Sequence, residues 1–385
     1  MLTASKADRM IREGVAALQR GDAPTALRLF HAAKDTPGVP QPHILIARAC
    51  HMLGDEAGEE SALDLVLAER PRDVRALLMK GERRAGQGDD RAATAFYKIA
   101  LASARASGPP PAGLVADLRR AESYLAGAME RYQAHLAEQL AGAGFSPTWQ
   151  APRVRQALDI LLGKRGVYLQ QPNSFYFPGL PNIEFYERSD FPWLATLEAA
   201  APAIRAELEA VIHADGAFPP YVEAHPDRPP PPNPLLNDPS WGAFYLWRGG
   251  APVADNAARC PVTMAALEAA PLPRIDGRSP MALFSLLKPG THIRPHHGLL
   301  NTRLICHIPI ITAPDCALRV GAETREWRDG EALVFDDSIE HEAWNRGDRT
   351  RVVLLFEIWR PELSGEERSA LTALFEAISV YDTTE

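Results

Sequence analysis

The chain has 385 residues, 46% of them hydrophobic, so it is long enough for two or three domains and too apolar to be disordered throughout. Its 41 Lys and Arg against 49 Asp and Glu give a net charge of −8, which argues against a general binder of nucleic acid or of anionic membranes. The four cysteines form no CxxC pair, so a disulfide scaffold and a cysteine-rich zinc site are both poorly supported.

The beginning of the chain, residues 1–10, is charged and amphipathic and has no apolar core like that of a signal peptide. No later segment approaches the ~20 consecutive apolar residues of a membrane span. We therefore expect a soluble cytoplasmic protein without a membrane span.

Residues 1–140 are rich in Ala, Leu, Arg and Glu, which favour helix, and they repeat at a fixed period. Three Gly-Asp pairs end at Asp22, Asp55 and Asp89, 33 and 34 residues apart. After the first and third pairs, the same offsets hold a small, an aromatic and a small residue: Ala26, Phe30 and Ala33, then Ala93, Tyr97 and Ala100. This pattern resembles the tetratricopeptide repeat. A plain helical bundle is the alternative.

Repeats of this kind stack into a concave surface that binds peptides or other proteins and carries no chemistry itself. We therefore expect the helical repeat to engage a protein or peptide partner. A connecting helix is predicted over residues 141–164.

From about residue 165 the composition becomes aromatic and turn-rich, and a helix is predicted over roughly 193–213. Prolines then cluster over 218–239, which excludes helix and central strand because proline lacks an N–H and fixes φ. The cluster is either an interdomain linker or an excursion inside one domain near its site, and the aromatics on both sides favour the second. Trp241 and Trp247 are candidates for a wall of a substrate cleft; otherwise they are core residues.

From Met281 onward the pattern changes to short strands separated by Gly, Pro, Asp and Asn. Strands are predicted over 281–287, 303–311, 318–320, 332–335 and 351–359. Because no helical pattern of about 10–15 residues lies between them, the sheet should be antiparallel, as in a sandwich or jelly roll.

Five of the eleven histidines fall in this region: His292, His296, His297, His307 and His341. Pro295 and Gly298 argue against a helix there, so His292 and His296 are expected in one loop between strands. A second loop, over 335–344, is expected to present His341. Two such histidines suit a mononuclear iron site, whose usual ligands are two His and one carboxylate. The carboxylate is expected two residues after His296, and this chain has Gly298 at that position. From the residues alone, a metal site and ordinary loop histidines are about equally supported, and we expect His292 and His297 to be loop or solvated residues.

Two motifs make the comparison specific. Gly-Thr-His-Ile-Arg-Pro-His ends at His296, and Phe-Asp-Asp-Ser-Ile-Glu-His ends at His341 and continues with Glu-Ala-Trp. With a closing Trp-x-Pro-Glu-Leu at 359–363, they resemble the aspartyl/asparaginyl β-hydroxylase family over roughly 165–364. These are 2-oxoglutarate-dependent oxygenases on a double-stranded β-helix, a jelly-roll or cupin-like fold. The family is known for iron held by two His only, which accounts for Gly298.

The resemblance implies a multidomain α + β chain. The helical repeat would occupy 1–140, the connecting helix 141–164, the double-stranded β-helix domain 165–364, and a C-terminal helix and tail 365–385.

By position in the motifs, His296 and His341 would be the Fe(II) ligands. Arg351, ten residues after His341 at the start of an apolar strand, would bind the distal carboxylate of 2-oxoglutarate in a bidentate manner. Ser285 would contact the same end of this cosubstrate.

Arg303, Ile305 and His307 alternate along the 303–311 strand and therefore share one face of it. The resemblance implies that His307 contacts the other end of the cosubstrate. The family often has Arg at the position of Ile305, and Arg303 is the candidate to compensate for that departure.

The implied function is an Fe(II)- and 2-oxoglutarate-dependent dioxygenase that uses O2 to hydroxylate an Asp- or Asn-type side chain of a protein or peptide. Two alternatives stay open: hydroxylation of a lipid acyl chain or a free amino acid, and a catalytically silent protein-binding module. No nucleic-acid partner is expected.

Overall fold

A computed structural model describes residues 4–383, with the exception of 35, 38, 146–151, 213–217, 225–228 and 231. The chain divides into two compact units, Met1–Arg155 and Gln156–Glu385. The end of the predicted helix at His213, part of the predicted connecting helix, and Pro226 and Pro231 of the proline cluster lie outside the described residues. Among the residues that are described, no helix is long and apolar enough to cross a membrane.

The first unit is helical. Its helices α1 to α7 span Ala4–Gln19, Ala23–Ala33, His43–Leu53, Glu56–Glu69, Val74–Gly86, Asp90–Ala106 and Ala112–Gly142, and α8 follows at Pro152–Leu161. In three successive pairs, α1 packs on α2, α3 on α4 and α5 on α6.

The recurring Gly-Asp pair is the turn inside each helix pair. Gly21, Gly54 and Gly88 have positive φ of 81°, 70° and 75°, a conformation that ends a helix and favours glycine. The aspartate that follows caps the next helix, and its carboxylate accepts a hydrogen bond from a backbone N–H three residues on, as Asp22 does from Thr25 at 3.1 Å. One dipeptide thus ends one helix and begins the next.

The aromatic position of the repeat packs against a glycine of the preceding helix. A Cβ built on Gly14 would lie 2.5 Å from Cε1 of Phe30, and one built on Gly81 would lie 2.5 Å from Cε1 of Tyr97. Each glycine therefore lets two helices approach closely enough to bury the aromatic ring. The helix pairs agree with the repeat predicted from the sequence, whose assignment as tetratricopeptide stays a prediction.

The glycine contact can be tested within α5. We expect Gly81→Ala to destabilise the first unit by about 1–3 kcal/mol, because the added methyl group overpacks against the Tyr97 ring. Gly86→Ala, in the same helix with nothing within 4 Å of the new methyl group, should be neutral or stabilising. Urea unfolding followed by far-ultraviolet circular dichroism measures both, and equal effects would contradict the packing argument.

The second unit contains two antiparallel sheets, which confirms the predicted antiparallel architecture. The seven-stranded sheet has the order β1-β9-β6-β11-β4-β2-β3, and the four-stranded sheet has the order β5-β10-β7-β8. The strands are β1 Phe185–Tyr186, β2 Trp241–Arg248, β3 Ala251–Pro252, β4 Ala282–Leu287, β5 His292–His296, β6 Arg303–Ile311, β7 Cys316–Val320, β8 Glu323–Glu326, β9 Leu333–Phe335, β10 His341–Asn345 and β11 Arg351–Trp359. The helices are α9 Leu194–Ile212, α10 Ala254–Arg259, α11 Pro261–Leu267 and α12 Gly365–Thr383, with a 3-10 turn at Arg188–Asp190.

Both faces of the large sheet are buried, and alternation decides which residues face the small sheet. Along β11, Val352, Leu354 and Phe356 pack in a core with α9, whereas Val353 and Leu355 pack in a second core with residues of the small sheet. Arg351 lies two residues before Val353, so its side chain is on the same face of the sheet. The same rule brings alternate residues of β4 and β6 to the inter-sheet side.

The segment from His292 to His296 was expected to be a loop, and this expectation is wrong: it is the edge strand β5. Pro295 is tolerated there because an edge strand leaves some backbone N–H groups without a partner strand. His341, likewise expected in a loop, is the first residue of β10.

The loop between β9 and β10 is held by a buried ion pair. Nη1 of Arg360 lies 2.7 Å from Oδ2 of Asp336, and both side chains are fully buried. Asp336 also accepts hydrogen bonds from the backbone N–H of Ser338 at 3.0 Å and from the side chain of Gln170 at 2.7 Å. Arg360 donates to the carbonyl oxygen of Asn301 at 3.2 Å. This network fixes the chain just before His341.

Removing the Arg360 side chain should reduce the stability of this unit, because it leaves the buried Asp336 carboxylate without a counterion. We expect Arg360→Met to lower the free energy of unfolding by about 3–5 kcal/mol. Arg188→Met, which breaks a pair with Glu198 whose arginine is half exposed, should lower it by less than about 1 kcal/mol. Tryptophan fluorescence follows this unit, since six of the seven tryptophans lie in it. Equal losses would argue against the special role of the buried pair.

Candidate active site

A cavity of about 700 Å³ opens between the two sheets. It brings together seven of the eight side chains singled out from the sequence: Trp241, Ser285, His296, Arg303, His307, His341 and Arg351. The large sheet supplies five of these residues through the alternation described above. The small sheet supplies the two histidines.

His296 and His341 face each other because β5 and β10 are antiparallel and these two residues are register partners. Their ring centroids are 4.1 Å apart. Nδ1 of His296 lies 2.8 Å from the carbonyl oxygen of Arg294, and Nδ1 of His341 lies 3.0 Å from that of Ile339. Because a carbonyl oxygen only accepts, each Nδ1 carries the proton and each Nε2 keeps a free lone pair.

Both imidazoles are held in the neutral form. Burial, together with the neighbouring His296, lowers the pKa of His341 to about 3. Desolvation in the cavity also lowers the pKa of His296. Neutral histidines with free Nε2 atoms have the protonation state of metal ligands.

Position 298 has no room for a side chain. A Cβ on Gly298 would collide with the carboxylate of Asp337, and the Gly298 N–H donates to the backbone carbonyl of Asp337 at 2.6 Å. Within the described ranges, no group of three or more His, Cys, Asp or Glu residues is arranged to hold a metal ion. The donor set at this place is therefore two imidazoles, and it fits a metal ion whose other ligands would come from outside the protein.

Arg351 is 1% exposed and has no ion-pair partner among the described residues. Its Nη1 donates to the Ser285 carbonyl oxygen at 3.1 Å and to Ser285 Oγ at 3.5 Å, and the Cys316 thiol lies beside it. Its Nε has no hydrogen-bond partner in the described structure. Burial lowers the pKa of Arg351 to about 10. The cavity thus contains a buried cation that lacks a counterion.

Arg303 differs because its charge is already matched. It forms a short ion pair with the fully buried Glu357, and its Nη2 lies 3.5 Å from Oδ2 of Asp337. Burial raises the pKa of Asp337 to about 7. Ile305, which lies between Arg303 and His307 on the strand, adds an apolar side chain to the cavity wall.

The two tryptophans proposed as a cleft wall have different positions. Trp241 lines the cavity, stacks on Tyr221 with centroids 4.1 Å apart, and donates from Nε1 to Ser285 Oγ at 3.3 Å. Trp247 packs in the core on the other face of the sheet, because a register shift between Tyr245 and Trp247 reverses the alternation of β2. Trp247 does not line the cavity.

The proline cluster adjoins the cavity within the second unit. Ala243 N–H donates to the Pro219 carbonyl at 2.9 Å and Tyr221 N–H donates to the Trp241 carbonyl at 2.8 Å, so residues 219–221 run along β2. Tyr221, Val222 and Pro234 line the cavity. His292 instead contacts Glu342 at 2.7 Å, and His297 lies at the cavity edge.

The sequence pattern did not point to Tyr221, Asp337 or Trp327. Asp337 lies inside the Phe-Asp-Asp motif, which was the available signal for it. Tyr221 and Trp327 come close to the site only through long-range packing, for which the local pattern gives no signal.

Residues 198–361 match the family model described as Aspartyl/Asparaginyl beta-hydroxylase. The ornithine lipid ester-linked acyl 2-hydroxylase of Rhizobium tropici is 36% identical over 185 residues, which are 47% of this chain and 62% of that protein. The aspartyl/asparaginyl beta-hydroxylase of Homo sapiens is 35% identical over 136 residues, 35% of this chain and 18% of that protein. The human aspartate beta-hydroxylase domain-containing protein 2 is 32% identical over 216 residues, 54% and 55% of the two chains.

This chain therefore spans less than two thirds of the length of each of these relatives. Among solved structures, a cupin 2 conserved barrel domain protein from Salinispora arenicola is similar over 31% of this chain and 76% of its own, with 12% identity and a TM-score of 0.21. The family match covers the cavity strands from β2 to β11 and both histidine motifs. The resemblance inferred from those motifs is confirmed: residues 198–361 match the aspartyl/asparaginyl β-hydroxylase family model, and curated proteins named as such hydroxylases are similar to this chain.

Proposed function

We propose that the second unit is an Fe(II)- and 2-oxoglutarate-dependent dioxygenase that hydroxylates an unactivated carbon of its substrate. The observation that carries this proposal is the pairing, in one cavity, of two neutral histidines with a buried arginine that lacks a counterion. The two histidines suit a metal ion, and the buried arginine suits a dianionic cosubstrate.

His296 and His341 would hold the iron through Nε2, since each Nδ1 is tied to a backbone carbonyl. These backbone contacts fix the ring orientation and the tautomer, which is how ligand histidines are usually oriented. When bound, Fe(II) with 2-oxoglutarate and O2 supplies the oxidising power that inserts oxygen into a C–H bond.

Arg351 would bind the distal carboxylate of 2-oxoglutarate. A guanidinium pairs with a carboxylate in a bidentate manner, and a buried pair of this kind relieves the cost of a lone buried charge. Ser285 contributes its hydroxyl at the same end, and Trp241 holds that hydroxyl through its indole N–H. His307, on the neighbouring strand β6, would contact the other end of the cosubstrate.

Aromatic and aliphatic side chains line part of the cavity. Tyr221 stacks on Trp241, which contacts Ser285, and Ile305 and Leu355 also line the cavity. Exclusion of water protects reactive oxygen chemistry from side reactions and strengthens the electrostatic contacts within the cavity.

The leading substrate, as expected from the family, is an Asp- or Asn-type side chain of a protein or peptide, with the helical unit engaging that partner. A specific observation favours a second candidate, a lipid acyl chain. Arg303 is committed to Glu357 and Asp337 and so is not a free cation that could replace the family's arginine, and Ile305 instead adds an apolar wall that suits an acyl chain. The similarity to an acyl 2-hydroxylase agrees with this observation.

A catalytically silent binding module is disfavoured by the same arginine. Keeping an unpaired guanidinium fully buried costs several kcal/mol in a low-dielectric interior, and a scaffold with no ligand gains nothing in return. The retained Arg351 is therefore better explained by binding of an anion.

The experiment that tests the proposal is an anaerobic titration of the metal-free full-length chain with Fe(II) and 2-oxoglutarate. We expect the metal-to-ligand charge-transfer absorption of chelated 2-oxoglutarate, and its loss in His341→Ala. His292→Ala is the matched control, because His292 contacts Glu342 outside the cavity, and it should keep the band. Absence of the band in the unaltered chain would leave the binding-module alternative standing.

The same titration assigns Arg351. We expect Arg351→Ala to weaken 2-oxoglutarate binding by roughly 10- to 100-fold, the value of a charged hydrogen-bonded contact, with little change in Fe(II) affinity. The exposed Arg346→Ala is the control for loss of a positive charge near the same strands. Equal losses of iron and cosubstrate affinity would contradict the assigned role.

Ile305 separates the two substrate candidates. We expect Ile305→Arg to reduce oxygen insertion into an acyl chain by on the order of 100-fold, because it places an unpaired cation in an apolar wall. Ile305→Val should retain most activity. Mass spectrometry of lipids and proteins from cells that produce the chain locates the added oxygen. Oxygen on Asp or Asn residues, undiminished in Ile305→Arg, would exclude the acyl candidate.

A further inference from the structure

One buried side chain contacts both ends of the candidate cosubstrate site. Trp327 follows β8 directly, is 4% exposed, and packs in the core between the two sheets. Its indole lies between His307 of β6 and Arg351 of β11. Neither the family motifs nor the mechanism above assigns it a function.

The contact with His307 sets a tautomer. Nε1 of Trp327 lies 3.3 Å from Nδ1 of His307. The indole N–H can only donate, so Nδ1 of His307 must accept, and the proton of the neutral ring resides on Nε2. Burial and the nearby Arg351 lower the pKa of His307 well below its usual value, which agrees with a neutral ring. Since His307 lines the cavity, it presents an N–H donor there.

This tautomer is the opposite of that of the two candidate metal ligands. His296 and His341 each donate from Nδ1 to a backbone carbonyl and keep a lone pair on Nε2. A histidine with a lone pair suits a metal, whereas a histidine with an N–H suits a carboxylate or keto oxygen. The partner of Nδ1 therefore decides which role each ring can take.

The contact with Arg351 uses the face of the same indole. The central guanidinium carbon lies 4.4 Å from the ring centroid, within the range of a cation–π interaction, for which tryptophan is the best partner. The described residues provide this cation with no carboxylate, so the ring supplies part of the missing stabilisation. A contact with the ring face does not use the Arg351 N–H groups, and Nε has no hydrogen-bond partner in the described structure.

We propose that Trp327 is a positioning residue that presets both ends of the site for a 2-oxo dicarboxylate: its indole N–H keeps the His307 proton on Nε2, and its ring face packs against the Arg351 guanidinium and holds it in place. The identity of the ligand rests on the proposed function. The contacts of Trp327 with His307 and Arg351 do not depend on the proposed function.

A purely structural aromatic makes a different prediction. If Trp327 only fills the core, phenylalanine should replace it at a modest cost in stability and with no effect on His307. Trp327→Phe keeps an aromatic face under Arg351 and removes the N–H, so it isolates the hydrogen bond. Trp344→Phe is the matched control, because Trp344 lies on the outer side of β10 against His292 and Arg346.

The first measurement needs neither metal nor cosubstrate. Nitrogen-15 NMR of the histidine-labelled, metal-free chain at neutral pH reports which ring nitrogen carries the proton, and His307→Gln assigns the signal. We expect Nε2 to be protonated in the unaltered chain and in Trp344→Phe, with a mixture or the reverse tautomer in Trp327→Phe. A His307 signal that is the same in all three, or a proton on Nδ1 in the unaltered chain, overturns the proposal.

The second measurement is the Fe(II) and 2-oxoglutarate titration. We expect Trp327→Phe to weaken 2-oxoglutarate binding by about tenfold, roughly one hydrogen bond, with unchanged Fe(II) affinity and secondary structure. Unchanged 2-oxoglutarate affinity despite an altered tautomer would also overturn the positioning role. If the unaltered chain binds no 2-oxoglutarate but shows the expected tautomer shift, the proposed function fails and the Trp327–His307 coupling stands.

Discussion

The candidate site depends on one buried ion pair, that between Arg360 and Asp336. It fixes the loop that leads from the large sheet to β10, and so determines where β10 begins. His341 is the first residue of that strand and therefore lies opposite His296. The same loop places the Asp337 carboxylate against Gly298. A shift of the loop by one residue would turn His341 to the other face of the sheet, because side chains alternate along a strand.

Three arginines of this unit, of which Arg351 and Arg360 are buried and Arg303 is partly buried, differ in whether a carboxylate compensates their charge. Arg360 and Arg303 each have a buried carboxylate partner, Asp336 and Glu357, and each ties neighbouring segments together. Arg351 lies among Ser285, Cys316 and Trp327, without any such partner in the described structure. Buried charges are normally paired, so the charge of Arg351 is the reason we propose that an anionic ligand binds there.

The sequence predicted those features that depend on local chemistry. The Gly-Asp turns follow from the preferences of a helix end and a helix cap, and β6 and β11 were predicted with the bounds that the structure has. The edge strand β5 was missed because Pro295 and Gly298 argued against a helix and the segment was then assigned to a loop, whereas proline is tolerated in a strand at the sheet edge. Trp247 was grouped with Trp241 because a register shift in β2 leaves no mark in the pattern. Trp327 depends on long-range packing that periodicity does not encode.

Gly298 has a consequence for how such a site can change over time. Its Cβ position is filled by the Asp337 carboxylate, so a carboxylate ligand at 298 can be accommodated only if residue 337 becomes smaller as well. Either substitution alone meets a steric clash or leaves an unfilled space, and neighbours that share space are not independent. The two positions therefore form one evolutionary unit. A chain with two candidate metal-binding histidines is separated from a three-ligand arrangement by a paired change at these two positions.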